Sequence, residues 1–147
     1  MVPFQGQDGC PPVVHAEALR RHDFDSVLTP LNYHLYTADA QFRANFDVLY
    51  GMTQDRDVGL RIIKAIARKP WDGVQWLNTW YEPFTEPDDI NAAISWVLGT
   101  FPGIAGLATA GEMTLLGKAI TAEADRMDVA DAARHLAAIA DYKTIFV

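Results

Sequence analysis

The amino-acid sequence predicts an α/β fold with about three parallel strands that alternate with helices. Short apolar runs that favour β-structure are each followed by a segment with helical periodicity. The connections between these runs are long enough only for parallel crossovers. The chain has 147 residues, of which 50% are hydrophobic. We therefore expect one domain with its own core over residues 12–147, preceded by an irregular segment over residues 1–11.

The first part of this domain is predicted to contain two helices and the strand between them. Pro12 suits the first turn of a helix, which should end near His22. Residues 24–32, FDSVLTPLN, form a short apolar run that favours a buried strand. Residues 38–52 follow with apolar side chains three to four positions apart, a spacing typical of an amphipathic helix.

The second strand is predicted over residues 58–66, VGLRIIKAI. Its aliphatic side chains are nearly continuous, with Lys64 as the exception, and such a run is typical of a strand covered on both faces. Residues 67–85 are too aromatic for a solvated linker, so we expect a folded loop. The aromatic side chains in question are Trp71, Trp76, Trp80 and Tyr81.

A helix and a third strand follow this loop. Thr85 stands at the expected N-cap, and Pro87 lies just inside a helix that should run to about Leu98 and end at Gly99. Residues 103–108 favour the third short strand.

The remaining residues are predicted to form a turn and two helices. The turn covers residues 109–112, and the helix after it has apolar positions at Met113, Leu116 and Ile120. A final helix is expected over residues 129–142.

Composition excludes several classes of partner. The formal net charge of -7 gives no basic surface for nucleic acid or for an anionic membrane. Residues 90–111 carry no charge, but the glycines and Pro102 within this stretch favour a helix-to-strand passage over a membrane span.

Cys10 is the only cysteine and the first residues do not resemble a signal peptide, so we expect a cytoplasmic protein without disulfides.

Four consecutive segments resemble the second half of the aldo/keto reductase family. They read HAEALRRHDFDSVLTPLNY, VGLRIIKAIARKPW, WYEPFTEPDDINAAISWVLG and IAGLATAGEMTLLGKAI. The resemblance covers residues 12–141 and implies the sixth, seventh and eighth strands of a (β/α)8 barrel, hence a partial TIM-type barrel. The family's catalytic Asp, Tyr, Lys and His all precede the matching region, so the resemblance implies no catalytic residue in this chain.

The resemblance also implies a nicotinamide cofactor, NADP or NAD. Lys64 corresponds to a lysine near the cofactor in several members, where its ammonium could pair with the pyrophosphate. Thr109, Ala110, Gly111 and Glu112 lead into a helix N-terminus, whose backbone amides suit a phosphate group. These five residues are the predicted cofactor-binding residues.

Three positions depart from the family. Leu28 stands where many members have a glutamine that holds the carboxamide, and Ile63 stands where an aromatic side chain stacks on the nicotinamide. Glu112 replaces the basic residue that grips a 2′-phosphate, so a preference for NADP is not implied.

Each predicted site also has a structural interpretation. Lys64 could be a strand-end lysine with its head in solvent, and most helix starts after a strand bind nothing. The aromatic loop could line a substrate mouth or only pack across the core. Asp88 and Asp89 fit the first turn of a helix. The histidines His15, His22, His34 and His135 lack metal-ligand spacing, so no metal is predicted.

Two functions remain open. The chain could be a truncated reductase of the aldo/keto type, without activity of its own. Alternatively, it could be a non-catalytic half-barrel that completes a barrel with a second copy or with a separate amino-terminal half. The open strand edges of a partial barrel favour self-association.

Overall fold

A computed structural model describes residues 11–108 and 111–145 of the chain. The strands are β1 (Ser26–Pro30), β2 (Gly59–Ile63), β3 (Ala67–Lys69), β4 (Glu82–Pro83) and β5 (Ile104–Leu107). The helices are α1 (Pro12–Arg21), α2 (Tyr33–Ala38), α3 (Ala40–Asp55), α4 (Pro87–Thr100), α5 (Met113–Ala124) and α6 (Val129–Ala137).

The main sheet has three parallel strands in the order β1-β2-β5. Residues 26–30 of β1 pair with residues 59–63 of β2, and Leu60 and Ile62 of β2 pair with Ile104 and Leu107 of β5. The predicted α/β fold with three parallel strands is therefore confirmed. The described strands form an open sheet and no closed barrel.

The sheet is covered on one face only. Thr29, Leu60 and Ile62 are fully buried, and α3 packs behind β2. Side chains on the opposite face of the strands reach solvent, as Leu28 is 45% exposed and Arg61 is exposed as well. The expectation of a second strand covered on both faces is wrong for the described ranges, because alternate side chains of β2 point to the uncovered face.

The helix layer is held together by an aromatic cluster between α2, α3 and α4. The ring of Phe46 lies 5.0 Å from that of Phe101, and Trp96 lies 5.7 Å from Tyr36. Phe46 is fully buried and Trp96 is 5% exposed. Edge-to-face aromatic pairs of this kind add to the free energy of burial, so the cluster fixes α4 against α3.

Two short polar side chains divide the segment after β1 into two helices. The Oδ1 atom of Asn32 accepts a hydrogen bond from the backbone N–H of Leu35 at 2.9 Å and starts α2. Asp39 accepts hydrogen bonds from the N–H groups of Gln41 and Phe42 and starts α3. The predicted helix over residues 38–52 therefore begins at Ala40, after a six-residue helix that the periodicity did not indicate.

The bounds of α4 correct two expectations. Glu86 rather than Thr85 is its N-cap residue, and the Glu86 side chain makes no capping hydrogen bond. The helix also continues through Gly99 to Thr100. A Cβ atom at Gly99 would collide with Val129, so this glycine allows α6 to approach α4 rather than ending the helix.

The aromatic connection is folded, as predicted, because β3 and β4 form an antiparallel pair within it. The carboxyl-terminal segment packs against this pair, since the N–H of Lys143 donates to the carbonyl of Arg68 at 3.0 Å. Helix α6 ends at Ala137, five residues before the predicted end at Tyr142. None of the helices in the described ranges combines the length and the apolar character that a membrane crossing needs.

Candidate functional site

Lys64 directly follows β2, because this strand ends at Ile63 and not at the predicted Ile66. This is the strand-end position that the family resemblance implied. Its φ angle of 66° is in the left-handed region, which residues other than glycine rarely adopt. The Lys64 carbonyl accepts a hydrogen bond from Nδ2 of Asn32 at 3.4 Å and another from the N–H of Ala67 at 3.1 Å. The backbone at Lys64 therefore turns away from the sheet and is anchored to the end of β1.

The predicted phosphate-binding turn is described only in part. Thr109 and Ala110 lie outside the described residues. Gly111 has a φ angle of 76°, and Glu112 is the N-cap residue of α5. The Glu112 carboxylate accepts hydrogen bonds from the N–H and the hydroxyl of Thr114, at 3.3 and 3.1 Å.

This capping contact bears directly on anion binding. The carboxylate of Glu112 already interacts with an amide at the positive end of α5. A phosphate at the same helix end would have to displace this side chain, and it would meet a like charge. In the described part of the predicted turn, Gly111 has no side chain that would hinder a phosphate from approaching its backbone.

The topology brings Lys64 and the turn before α5, which contains Gly111 and Glu112, to the same edge of the sheet. Strands β2 and β5 are parallel neighbours, and the N–H of Ala108 donates to the carbonyl of Ile62 at 2.8 Å. The residues that follow the two strands are therefore adjacent at the carboxyl edge, where ligands bind in open α/β sheets. Leu28 lies in β1, on the uncovered face, and half-buried Ile63 is the last residue of β2.

A cavity with a volume of about 430 Å³ lies between β5 and the helix layer. It exists because α5 packs against α4 and leaves β5 half-exposed. All five residues from Ile104 to Ala108 line it, so it runs along the outer edge of this strand. The other lining residues are Ala65, Ile66, Tyr81, Ile94, Leu98, Leu115, Leu116, Ala119, Ile120 and Glu123.

Among the described residues that line this cavity, Tyr81 and Glu123 have polar side chains. Burial raises the pKa of Tyr81 to about 12, so its hydroxyl stays protonated at neutral pH. Glu123 is exposed and lies at the cavity mouth. The sequence reasoning placed Tyr81 in the aromatic loop but did not find the cavity, since neither α5 nor β5 carries a motif that indicates a gap between them.

Two tryptophans of the aromatic loop are displayed to solvent. Trp76 is 64% exposed and Trp80 is 75% exposed. The loop is ordered by hydrogen bonds to the carbonyl of Thr79, which accepts from Nε1 of Trp71 at 2.7 Å and from Nε2 of Gln75 at 2.6 Å. The loop thus packs through Trp71, while its other two indoles remain on the surface.

An ion-pair network fixes the carboxyl-terminal segment to the β3–β4 pair. Lys69 contacts Asp141 at 2.5 Å and Glu82 at 3.7 Å, and Lys143 contacts Asp141 at 2.9 Å. Hydrogen bonds from Lys143 and then Lys69 lower the pKa of Asp141 to about 2. The sequence reasoning missed this network, because the contacting residues Lys69 and Asp141 are separated by seventy-two positions.

The carboxyl-terminal segment also places an Asp, a Tyr, a Lys and a His close together. The rings of Tyr142 and His34 are tilted against each other, with 5.3 Å between their centroids, and Lys69 pairs with Asp141. Tyr142 is only 7% exposed, and burial raises the pKa of its hydroxyl. A tyrosine enclosed in this way cannot donate a proton to a bound carbonyl group, so this cluster is not a substitute for a catalytic set.

The four histidines belong to no described cluster of metal-ligating side chains. Within the described ranges, no group of three or more His, Cys, Asp or Glu side chains could hold a metal ion. Nε2 of His135 lies 2.7 Å from Oδ1 of Asp89 and so joins α6 to the first turn of α4. Burial lowers the pKa of His34 and favours its neutral form.

The molecule is thus defined as a small α/β protein with a three-stranded parallel sheet that is open on one face. The chain matches no known family, no curated protein and no solved structure.

Proposed function

We propose that the chain is the cofactor-binding part of an aldo/keto reductase-like barrel, without catalytic activity of its own. The observation that carries the proposal is the sheet: sequential parallel strands, helices behind one face, and an uncovered opposite face. In a (β/α)8 barrel this opposite face points into the barrel and is covered by the remaining strands. The exposed Leu28 and Arg61 would then lie in the barrel interior.

The same arrangement supports a nicotinamide dinucleotide as the ligand. Lys64 supplies a cation at the carboxyl edge, and Gly111 supplies a backbone approach at the neighbouring strand. Lys64 would pair with the pyrophosphate. Glu112 opposes a 2′-phosphate at the start of α5, so NAD is accommodated at least as well as NADP.

We expect the isolated chain to be inactive because carbonyl reduction needs a suitably placed proton donor. A general acid must lie within hydrogen-bond reach of the carbonyl oxygen. Tyr142 is enclosed between α2 and β4, where its ring lies 5.0 Å from that of Phe84. A separate amino-terminal half would supply the catalytic Asp, Tyr, Lys and His.

The first test is a titration of the purified chain with NADH and NADPH, followed by cofactor fluorescence. We expect saturable binding of at least one cofactor and no turnover of carbonyl substrates. Lys64→Gln should weaken binding by about tenfold, which corresponds to about 1.4 kcal/mol. Arg20→Gln is the matched control, since Arg20 lies exposed on α1. A folded chain that binds neither cofactor would exclude the proposal.

A second candidate function is a non-catalytic half-barrel that assembles with a second copy or with a separate amino-terminal half. The exposed Leu28 on the uncovered sheet face, in the edge strand β1, favours it. Light scattering coupled to size-exclusion chromatography should detect a defined oligomer of the chain alone if two copies assemble. Leu28→Asp should dissociate this oligomer, whereas Val48→Asp, at 48% exposure on α3, should leave it intact.

A further inference from the structure

The cavity between β5 and α5 differs from the proposed cofactor site in the described residues that form it. Neither Lys64 nor Glu112 lines it. Its volume of about 430 Å³ falls within the range of roughly 300 to 1,000 Å³ that is typical of small-molecule sites. A site for a compact ligand is therefore present whether or not the chain binds a dinucleotide.

The walls of the cavity favour an apolar ligand. Ile94 and Leu98 of α4 face it from one side, and Leu116 and Ala119 of α5 face it from the other. Ile94 is 2% exposed and belongs to the hydrophobic core, so the inner end of the cavity is continuous with that core. Apolar surface buried against these side chains is the main source of affinity.

Tyr81 provides the hydrogen-bonding group. Its hydroxyl makes no hydrogen bond to another described residue, while the neighbouring Thr79 and Trp71 satisfy their own polar groups within the loop. A ligand that fills the cavity removes water from this hydroxyl, so the ligand must form a hydrogen bond with it to avoid a cost in free energy. Because it stays protonated at neutral pH, this phenol can donate to an acceptor oxygen.

The charge at the cavity mouth further restricts which apolar ligands can bind. Glu123 is the one charged side chain among the described residues that line the cavity, and it lies at the mouth. A carboxylate at this position repels anionic amphiphiles such as fatty acids. A neutral molecule avoids both this repulsion and the cost of moving a charge between aliphatic side chains.

We propose that this cavity binds a small, neutral, mainly apolar molecule whose single acceptor group accepts a hydrogen bond from Tyr81. The site is independent of the proposed function, since a chain that binds no dinucleotide retains the cavity, Tyr81 and Glu123. Cofactor titration and ligand titration therefore succeed or fail separately.

The probe for the test is prodan, a neutral aminonaphthyl ketone whose emission shifts to shorter wavelength in apolar surroundings. We expect saturable binding with one probe per chain. Tyr81→Phe should weaken binding by about threefold to tenfold, because it removes one hydrogen bond and leaves the apolar walls in place. The anionic naphthalene sulfonate ANS should bind more weakly than prodan, and Glu123→Gln should reduce this difference.

A second variant fills the cavity. Ala119→Phe should abolish binding of prodan, and Ala124→Phe is the matched control, because Ala124 is exposed on the same helix and does not line the cavity. Circular dichroism and thermal unfolding establish that each variant is folded. If Ala119→Phe does not fold, Ile120→Asp replaces it, since Ile120 is 61% exposed at the cavity mouth.

Three outcomes would overturn the proposal. The first is a prodan emission that does not saturate as the concentration of the probe is raised. The second is an affinity that neither Tyr81→Phe nor the cavity variants change, which would place the probe elsewhere, for example on Trp76 and Trp80. The third is binding that appears only at concentrations where light scattering detects dimers, which would assign the groove along β5 to a second copy of the chain.

Discussion

The side-chain amide of Asn32 donates a hydrogen bond to the carbonyl oxygen of Lys64, 3.4 Å away, and so joins the carboxyl ends of β1 and β2. The same side chain caps α2 through Leu35. Asn32 is 1% exposed, so its side chain is shielded from water, and the hydrogen bond to Leu35 is buried. The backbone at the proposed cofactor site is therefore positioned by a residue that follows the neighbouring strand β1 and caps α2.

Asn32→Ala should destabilise the protein, because it removes a helix cap and leaves the Leu35 amide without its capping acceptor. We expect a decrease of about 2 kcal/mol in the free energy of unfolding, measured by urea denaturation. Asn32→Ser keeps a capping oxygen but is too short to reach Lys64, so it should recover about half of this loss. Equal stability of the alanine variant and the wild type would contradict the assigned contacts.

Lys64→Gly should not destabilise the protein, although it removes the proposed cofactor cation. Glycine adopts a φ angle of 66° without the cost of about 1 to 2 kcal/mol that other residues bear in this region. We expect the free energy of unfolding to rise by up to about 1 kcal/mol while dinucleotide affinity falls. Arg61→Gly, within β2, is the control and should lower stability. A large loss of stability in Lys64→Gly would refute the backbone argument.

Two helical glycines should respond in opposite ways to alanine. Gly117→Ala in α5 should raise the free energy of unfolding by about 0.5 to 1 kcal/mol, since its Cβ would meet no atom within 4 Å. Gly99→Ala in α4 should lower it by about 1 to 3 kcal/mol, because the added methyl group would force Val129 and α6 away. Thermal unfolding of the two variants in parallel checks both signs. A stabilising Gly99→Ala would mean that α6 does not pack as described.

Asp141 should make stability depend on pH in the acid range. Its folded pKa of about 2 lies below its ordinary value of 3.8, so the stabilisation is fully present above pH 3.8 and is lost as the pH falls through about 2. Asp141→Asn should reduce the change in urea midpoint across this window. Asp23→Asn, at an exposed position between α1 and β1, is the control. An unchanged pH profile in Asp141→Asn would show that the ion-pair network does not contribute to folding.

The strands and most helices were predictable because their signals are local. Pro12 and Pro87 mark helix starts, and the apolar runs around Val27, Leu60 and Ile104 became the three parallel strands. Helix α2 was missed because six residues are too few for a periodic pattern. The hairpin of β3 and β4 was missed because two- and three-residue strands carry no alternation that can be read from sequence.

The candidate sites were less predictable. The strand pattern placed Lys64 inside a strand over residues 58–66, and only the family resemblance implied a position at the strand end, where the structure has it. The capping role of Glu112 was not foreseen, because a side chain at a helix start can either repel an anion or take its place. The sequence identified Tyr81 only as one of several aromatic residues in the loop and did not indicate that it lines a cavity.

The sequence by itself determined the class of fold and the order of its strands, since alternating apolar patterns and connection lengths leave few other arrangements. Only the tertiary structure decided which face of the sheet is covered, how Asn32 reaches Lys64, and that α5 leaves a cavity beside β5. These features depend on register and on helix packing. Both are set by contacts between residues far apart in the chain, and no local pattern encodes them.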